Sequence, residues 1–210
     1  MSPLTFETRG WQQVQENAWV NPDDDACIVD HFDIPPNLPA ALEDPDTLGE
    51  RLAAHTAASG GGLVELEVIG LDGLAAVRQI VKLPLPDRPS GVAYIASFIA
   101  PRAGASVVLR FQCMEHGTTG VRDASVYQRF VSQRMSEGRR MEEIMSEWAR
   151  HPYVPDLRGG LPRNLSDDPY WDEHFPDHPL SRARRLQLQV YRSITIDPAF
   201  KQLPPFRGPA

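Results

Sequence analysis

Three short stretches hold the residue types that do chemistry. Cys113, Glu115 and His116 place a thiol, a carboxylate and an imidazole close together in the chain. A cysteine nucleophile needs a base within hydrogen-bond reach and a thiol that ionises easily. In extended backbone Cys113 and Glu115 share one face and His116 falls at the following turn, so the spacing does not itself return the imidazole to the sulfur. Cys27 and His31 share a strand face but stand ~13 Å apart at about 3.3 Å per residue, too far for a common metal ion. Asp172, Glu173, His174, Asp177 and His178 cluster two histidines with three acids. On a helix the two imidazoles would sit one turn apart and could hold a divalent cation with a further ligand. Pro176 and Pro179 oppose a helix there.

Two glycine-bearing turns suggest anion binding only in outline. The run from Gly117 to Gly120, with Arg122 beyond it, precedes a helix whose first N–H groups would face an anion. It lacks the lysine and the glycine spacing of a phosphate loop, and Gly60, Gly61 and Gly62 lack the spacing of a dinucleotide loop. Neither a Gly-x-Ser-x-Gly elbow nor a His-Glu-x-x-His pair occurs. No catalytic residue, metal ligand or cofactor is therefore assigned. The candidate binding residues are of two kinds. Glu115, His116 and Arg122 could line a pocket at the turn. Met135, Met141, Met145 and Trp148 belong to an apolar stripe that begins at Tyr127 and Val131, and methionine adapts well to an irregular partner. The competing reading of the stripe is ordinary packing of a helix on a sheet.

The elements that position these residues follow from periodicity. Short strands are expected over 5–7, 11–14, 18–20 and 26–34, with a turn at Pro22 to Asp25. Asp46 or Thr47 can cap a helix over 48–59, which the three glycines end. Residues 63–69 alternate with a period of two, Asp72 and Gly73 make a hairpin turn, and 74–83 returns. A loop over 84–89, a strand over 92–100, a turn at 101–104 and a strand over 106–114 complete a four-stranded antiparallel meander. Val107, Leu109 and Phe111 face one way along the last strand, Arg110 and Gln112 the other. Asp123 is a plausible cap for the helix or helices of the methionine stripe, with a break at Gly138.

Beyond Pro152 the composition changes: half of the 20 prolines fall in the last 59 residues. Tyr153, Leu157, Leu161, Leu165, Tyr170, Trp171 and Phe175 are spaced singly among prolines and aspartates. That spacing predicts an extended arm laying single anchors on a core. Ser181 can cap a short helix carrying Leu186 and Val190, and 193–196 reads as extended. The expected organisation is an α+β core over 1–150 and a Pro-rich arm over 151–210 that packs on the core or on a second subunit.

With 210 residues, 41% apolar and 23% charged, the chain can bury a core and is not disordered, fibrous or disulfide-built. No apolar run reaches the ~18 residues of a spanning helix, and the start shows no signal peptide, so a cytoplasmic protein without a membrane partner is expected. The net charge of −7 is uneven: residues 1–60 hold 11 acids against 2 bases. An acidic surface repels phosphate backbones, which argues against nucleic acid and favours a basic partner surface. Arg182, Arg184 and Arg185 form the basic cluster, which reads as a solvated helix face.

Gly10 and Trp11 after a first short strand, a helix before the sheet, the hairpin at Asp72, Gly73, Leu74 and Ala75, and a last strand entering a helix at Gly120 to Asp123 resemble the PsbP-like superfamily, which includes bacterial DcrB-like proteins. The resemblance covers roughly residues 4–132. It implies an α+β fold and a non-enzymatic protein that works by binding other proteins, and it carries no functional residue across. The long arm after Pro152 lies outside it. The resulting expectation is a bacterial intracellular protein-binding or adaptor module, secretion accessory or toxin-neutralising protein, with a protein partner or a second copy docked through the arm. The alternative is a small-molecule-binding protein or hydrolase with a pocket between the sheet and the arm.

Overall fold

The computed structural model describes residues 2–85, 88, 90–149, 151–155, 157 and 159–209. The strands are β1 (Leu4–Thr5), β2 (Gln12–Gln15), β3 (Ala18–Val20), β4 (Ala26–Phe32), β5 (Gly62–Leu71), β6 (Leu74–Pro84), β7 (Val92–Pro101), β8 (Ser106–Met114) and β9 (Thr195–Ile196). The helices are α1 (Pro45–Ala58), α2 (Val121–Ser136), α3 (Met141–Trp148), α4 (Pro179–Tyr191) and the single turn α5 (Pro198–Lys201). Single 3-10 turns occupy Leu165–Asp167 and Pro169–Trp171. The fold class is α+β, as expected.

The expected meander over β5 to β8 forms, and it is larger than the local pattern indicates. β4 pairs antiparallel with β8, and the sheet continues through β3 to β2, giving the order β2-β3-β4-β8-β7-β6-β5. The β5–β6 turn is tight because Asp72 (φ 46°) and Gly73 (φ 84°) both take positive φ, the requirement of a hairpin turn matched to strand twist. A bulge between Leu63 and Glu65 lets β5 keep pairing with β6 while its faces shift. Part of the loop expected over 84–89, at 86, 87 and 89, lies outside the described residues.

The sheet is covered on both faces. On one, Tyr94, Ala96, Phe98, Val107, Leu109 and Phe111 meet Leu180, Ala183, Leu186 and Val190 of α4 in a continuous core. Gln187 of α4 donates to the carbonyls of Gln79 and Ser97, fixing the helix on the strands. On the other face α1 buries Leu48 against Val77, with Leu38, Leu42 and Phe206 beside it. Asp44 caps α1 by accepting from the Thr47 N–H, two residues before Asp46 and three before Thr47, the expected caps.

The C-terminal sixty residues supply a whole helix to the core. Among the described residues of 151–178 no element is longer than a single 3-10 turn, but α4 is a core helix, and Ile194, Ile196 and Phe200 join the same cluster. β9 pairs with β1, tying the two ends of the chain together. The expected solvated face is corrected: Arg182 and Arg184 are buried. Their charges hid the burial of the helix, because local pattern reads arginine as surface. Among the described residues no helix is long and apolar enough to cross a membrane.

Candidate functional site

The end of β8 and the start of α2 bring together the turn candidates. Glu115 Oε2 accepts from the Val92 N–H at 2.9 Å and Oε1 from the Gly120 N–H at 2.7 Å. Gly120 (φ 71°) is the N-cap of α2, where the sequence favours Asp123; Asp123 instead accepts from the Ser166 hydroxyl. The Glu115 carboxylate thus shapes the turn.

Arg122 is 1% exposed and clamps the C-terminal segment. Its Nε donates to Ser166 O at 2.6 Å, Nη1 to Asp172 Oδ1 and Ser181 Oγ at 2.9 Å each, and Nη2 to Asp168 O at 3.0 Å. Four of the five N–H donors of a guanidinium are thereby used inside the protein. Arg184 donates to Glu65 and Asp172 at 2.7 Å each. Arg182 grips Asp25 through Nε and Nη2. Lys82 donates to Asp167 Oδ2 at 2.7 Å, both side chains being buried. These charges lie between sheet, α2 and α4 and hold the segment before α4 in place. Lys82, Asp25, Glu65 and Asp167 were not legible as partners, because each meets its counter-charge only across the fold, and Asp172, legible in the 172–178 cluster, binds Arg122 and Arg184 rather than a metal ion.

A cleft of about 490 Å³ opens between this turn and the 174–182 segment, with His116, Thr118, His174 and His178 on its walls. It is a pocket between the sheet end and the C-terminal segment, and it brings Glu115, His116 and Arg122 to one place. Two of the three are spent on internal hydrogen bonds, which leaves His116 exposed at the rim. His178 caps α4 by accepting from the Leu180 N–H, and its Nε2 stands 3.9 Å from Glu115 Oε1. Burial, reinforced by the positive charge of Arg122, pushes the His178 imidazole down to about 3, so it is neutral at ordinary pH.

The other chemical candidates separate. Burial pushes both the Cys113 and Cys27 thiols up, the opposite of what a nucleophile needs. His31 is exposed and pairs with Asp33, away from the buried Cys27. His174 packs against the Tyr170 and Trp171 rings while His178 caps its helix. Among the described residues no group of three His, Cys, Asp or Glu side chains could hold a metal ion. Gly61 and Gly62 are buried because the chain at Leu161 passes directly over them: Leu161 N–H donates to Gly61 O, and a Cβ at Gly62 would collide with the Leu161 carbonyl.

The methionine stripe divides at Gly138 (φ 78°) into α2 and α3. Ile144 is fully buried, and Trp148 meets Tyr127 edge-on at 5.1 Å and Phe130 at 6.1 Å. Met135, Met141 and Met145 turn outward and are 58%, 47% and 42% exposed. Ion pairs from Arg134 to Glu137 and Glu147, and from Arg139 to Glu143 and Glu147, lace the two helices. The three methionines therefore do not pack on the sheet.

No family model and no curated protein sequence matches the chain. Among solved structures, cyanobacterial PsbP (CyanoP) from Synechocystis sp. PCC 6803 overlaps 65% of this chain and 91% of its own, at 12% identity and a TM-score of 0.33. The Pseudomonas aeruginosa protein of unknown function PA94 overlaps 64% of this chain and 81% of its own, at 14% identity and a TM-score of 0.33. Overlaps of that size carry no argument about activity or partners, and the α+β class rests on the chain's own sheet and helices.

Proposed function

We propose that the chain is a cytoplasmic protein-binding module whose docking surface is the α2–α3 hairpin. The observation behind this reading is the outward exposure of Met135, Met141 and Met145 on a hairpin whose inner side is already filled by Ile144 and Trp148. Unbranched, polarizable side chains on a stiff, ion-paired frame suit a partner's apolar helix or strand, since they repack around it at little cost. The acidic first quarter favours a partner with basic surroundings, which speeds encounter more than it strengthens the complex.

The test is photo-crosslinking with photo-methionine incorporated into the full chain in cells that express it. Support requires one recurrent protein, crosslinked through positions 135, 141 or 145, that is lost when all three are replaced by lysine at unchanged melting temperature. Retention of that complex by the triple variant would sink the reading.

A further inference from the structure

The second face of the sheet is covered unevenly. α1, residues 38–42 and Phe206 lie over Leu66, Val68, Val77 and Ile99. At the other end of the same face a cleft of about 700 Å³ opens just past the end of α1. Its apolar surface comes from Leu83, Leu85, Ile95 and Met114, and Arg88 and His116 also border it. Leu83 and Ile95 project from adjacent strands on the face away from α4, as the pairing of β6 with β7 requires. This cleft is separate from the methionine hairpin and adjoins the cleft beneath the 174–182 segment, with which it shares Glu115 and His116 as walls.

We propose that this cleft binds a free acyl-chain carboxylate, with the hydrocarbon on Leu83, Ile95 and Met114 and the carboxylate at Arg88 and His116. The volume lies within the range of small-molecule pockets, which pair an apolar wall with a few polar groups that fix orientation. Arg88 and His116 are both exposed and both basic residue types. A guanidinium receives a carboxylate through two parallel hydrogen bonds. The carboxylate on the wall, Glu115, has both oxygens held by the Val92 and Gly120 N–H groups, so it is engaged within the protein. The ligand class follows from that pairing of an apolar floor with a guanidinium and an imidazole.

Calorimetric titration of the full chain with dodecanoate and decanoate below their micellar concentrations, and with dodecanol below its solubility limit, tests this. Dodecanoate should bind one to one. Decanoate should bind about 15-fold more weakly, about fourfold for each methylene withdrawn from the apolar wall. Dodecanol, which lacks the charge, should bind at least ~10-fold more weakly than dodecanoate, the scale of a charge-assisted hydrogen bond. Arg88→Glu should bring dodecanoate down to the dodecanol level, and Leu83→Trp should abolish binding by filling the cleft. If Leu83→Trp does not fold, Arg88→Glu, which changes an exposed side chain, and the chain-length series carry the test. The proposal is overturned by no saturable binding, by equal affinity in Arg88→Glu, by association only with anionic phosphatidylglycerol vesicles, or by a chain dimer that Arg88→Glu disrupts in place of ligand binding.

Discussion

Arg122, Arg182, Arg184 and Lys82 sit where a hydrophobic interior would ordinarily exclude charge, and each is matched by a carboxylate. Such pairs add little net stability compared with apolar residues of the same volume, but removing one partner leaves the other charge buried and unpaired. Arg122→Met should therefore cost about 3–5 kcal/mol and be seen as a lower urea midpoint. His178 makes a pH prediction. Its pKa is lower folded than unfolded, so the unfolded chain takes the proton more readily, and stability present above about pH 6.5 falls as pH drops toward 3. The slope from this one group is at most about 1.4 kcal/mol per pH unit. Arg122, Arg182 and Arg184 oppose the charged imidazole and Asp167 favours it, so their balance sets the lower limit of the window. His178→Asn keeps a helix-capping side chain and should flatten that slope between pH 6 and 4 in urea titrations. Both thiols should stay inert to a disulfide reagent until the protein unfolds, given their burial.

Elements differ in how far they depend on distant residues. β5 to β8 were legible because alternation, turn glycines and hairpin pairing are all local, and β8 occupies the expected 106–114. α2 and α3 were legible as a stripe with a break at Gly138, whereas the direction of the methionines was not: a period near 3.6 shows that residues share a face but not what that face meets. Replacing Met135, Met141 and Met145 together by serine should change stability by less than about 0.5 kcal/mol each, the usual range for exposed positions, as read by melting temperature. The chain at Tyr153 and at 161–163 lies along the edge of β5: Tyr153 donates to Leu66 O and Arg163 to Val64 O, where a further strand would otherwise pair. Gly62→Ala should push this segment off the edge, raising hydrogen exchange at 61–66 and leaving α4 protected.

The larger of the two clusters, on one face of the sheet, is closed by the C-terminal part of the chain. Leu180, Ala183, Leu186 and Val190 cover the central strands, so removing residues 179–210 uncovers Phe98, Leu109 and Phe111. That truncated chain should lose cooperative unfolding and aggregate, which light scattering and thermal melts would read. A free arm would leave both unchanged. Native mass spectrometry of the intact chain gives its oligomeric state independently of that result.

Amino-acid order alone determined the α+β class, the antiparallel meander, the helix break and the residues that could do chemistry, since all of these follow from patterns within about ten positions. Tertiary structure decided the rest. The seven-stranded width depends on β4 finding β8, some eighty positions away in the chain. The core role of α4 depends on Arg182 meeting Asp25 across 157 positions and on Lys82 meeting Asp167 across 85. A buried charge is tolerable only where its counter-charge is delivered in space, and no window of local sequence holds both partners.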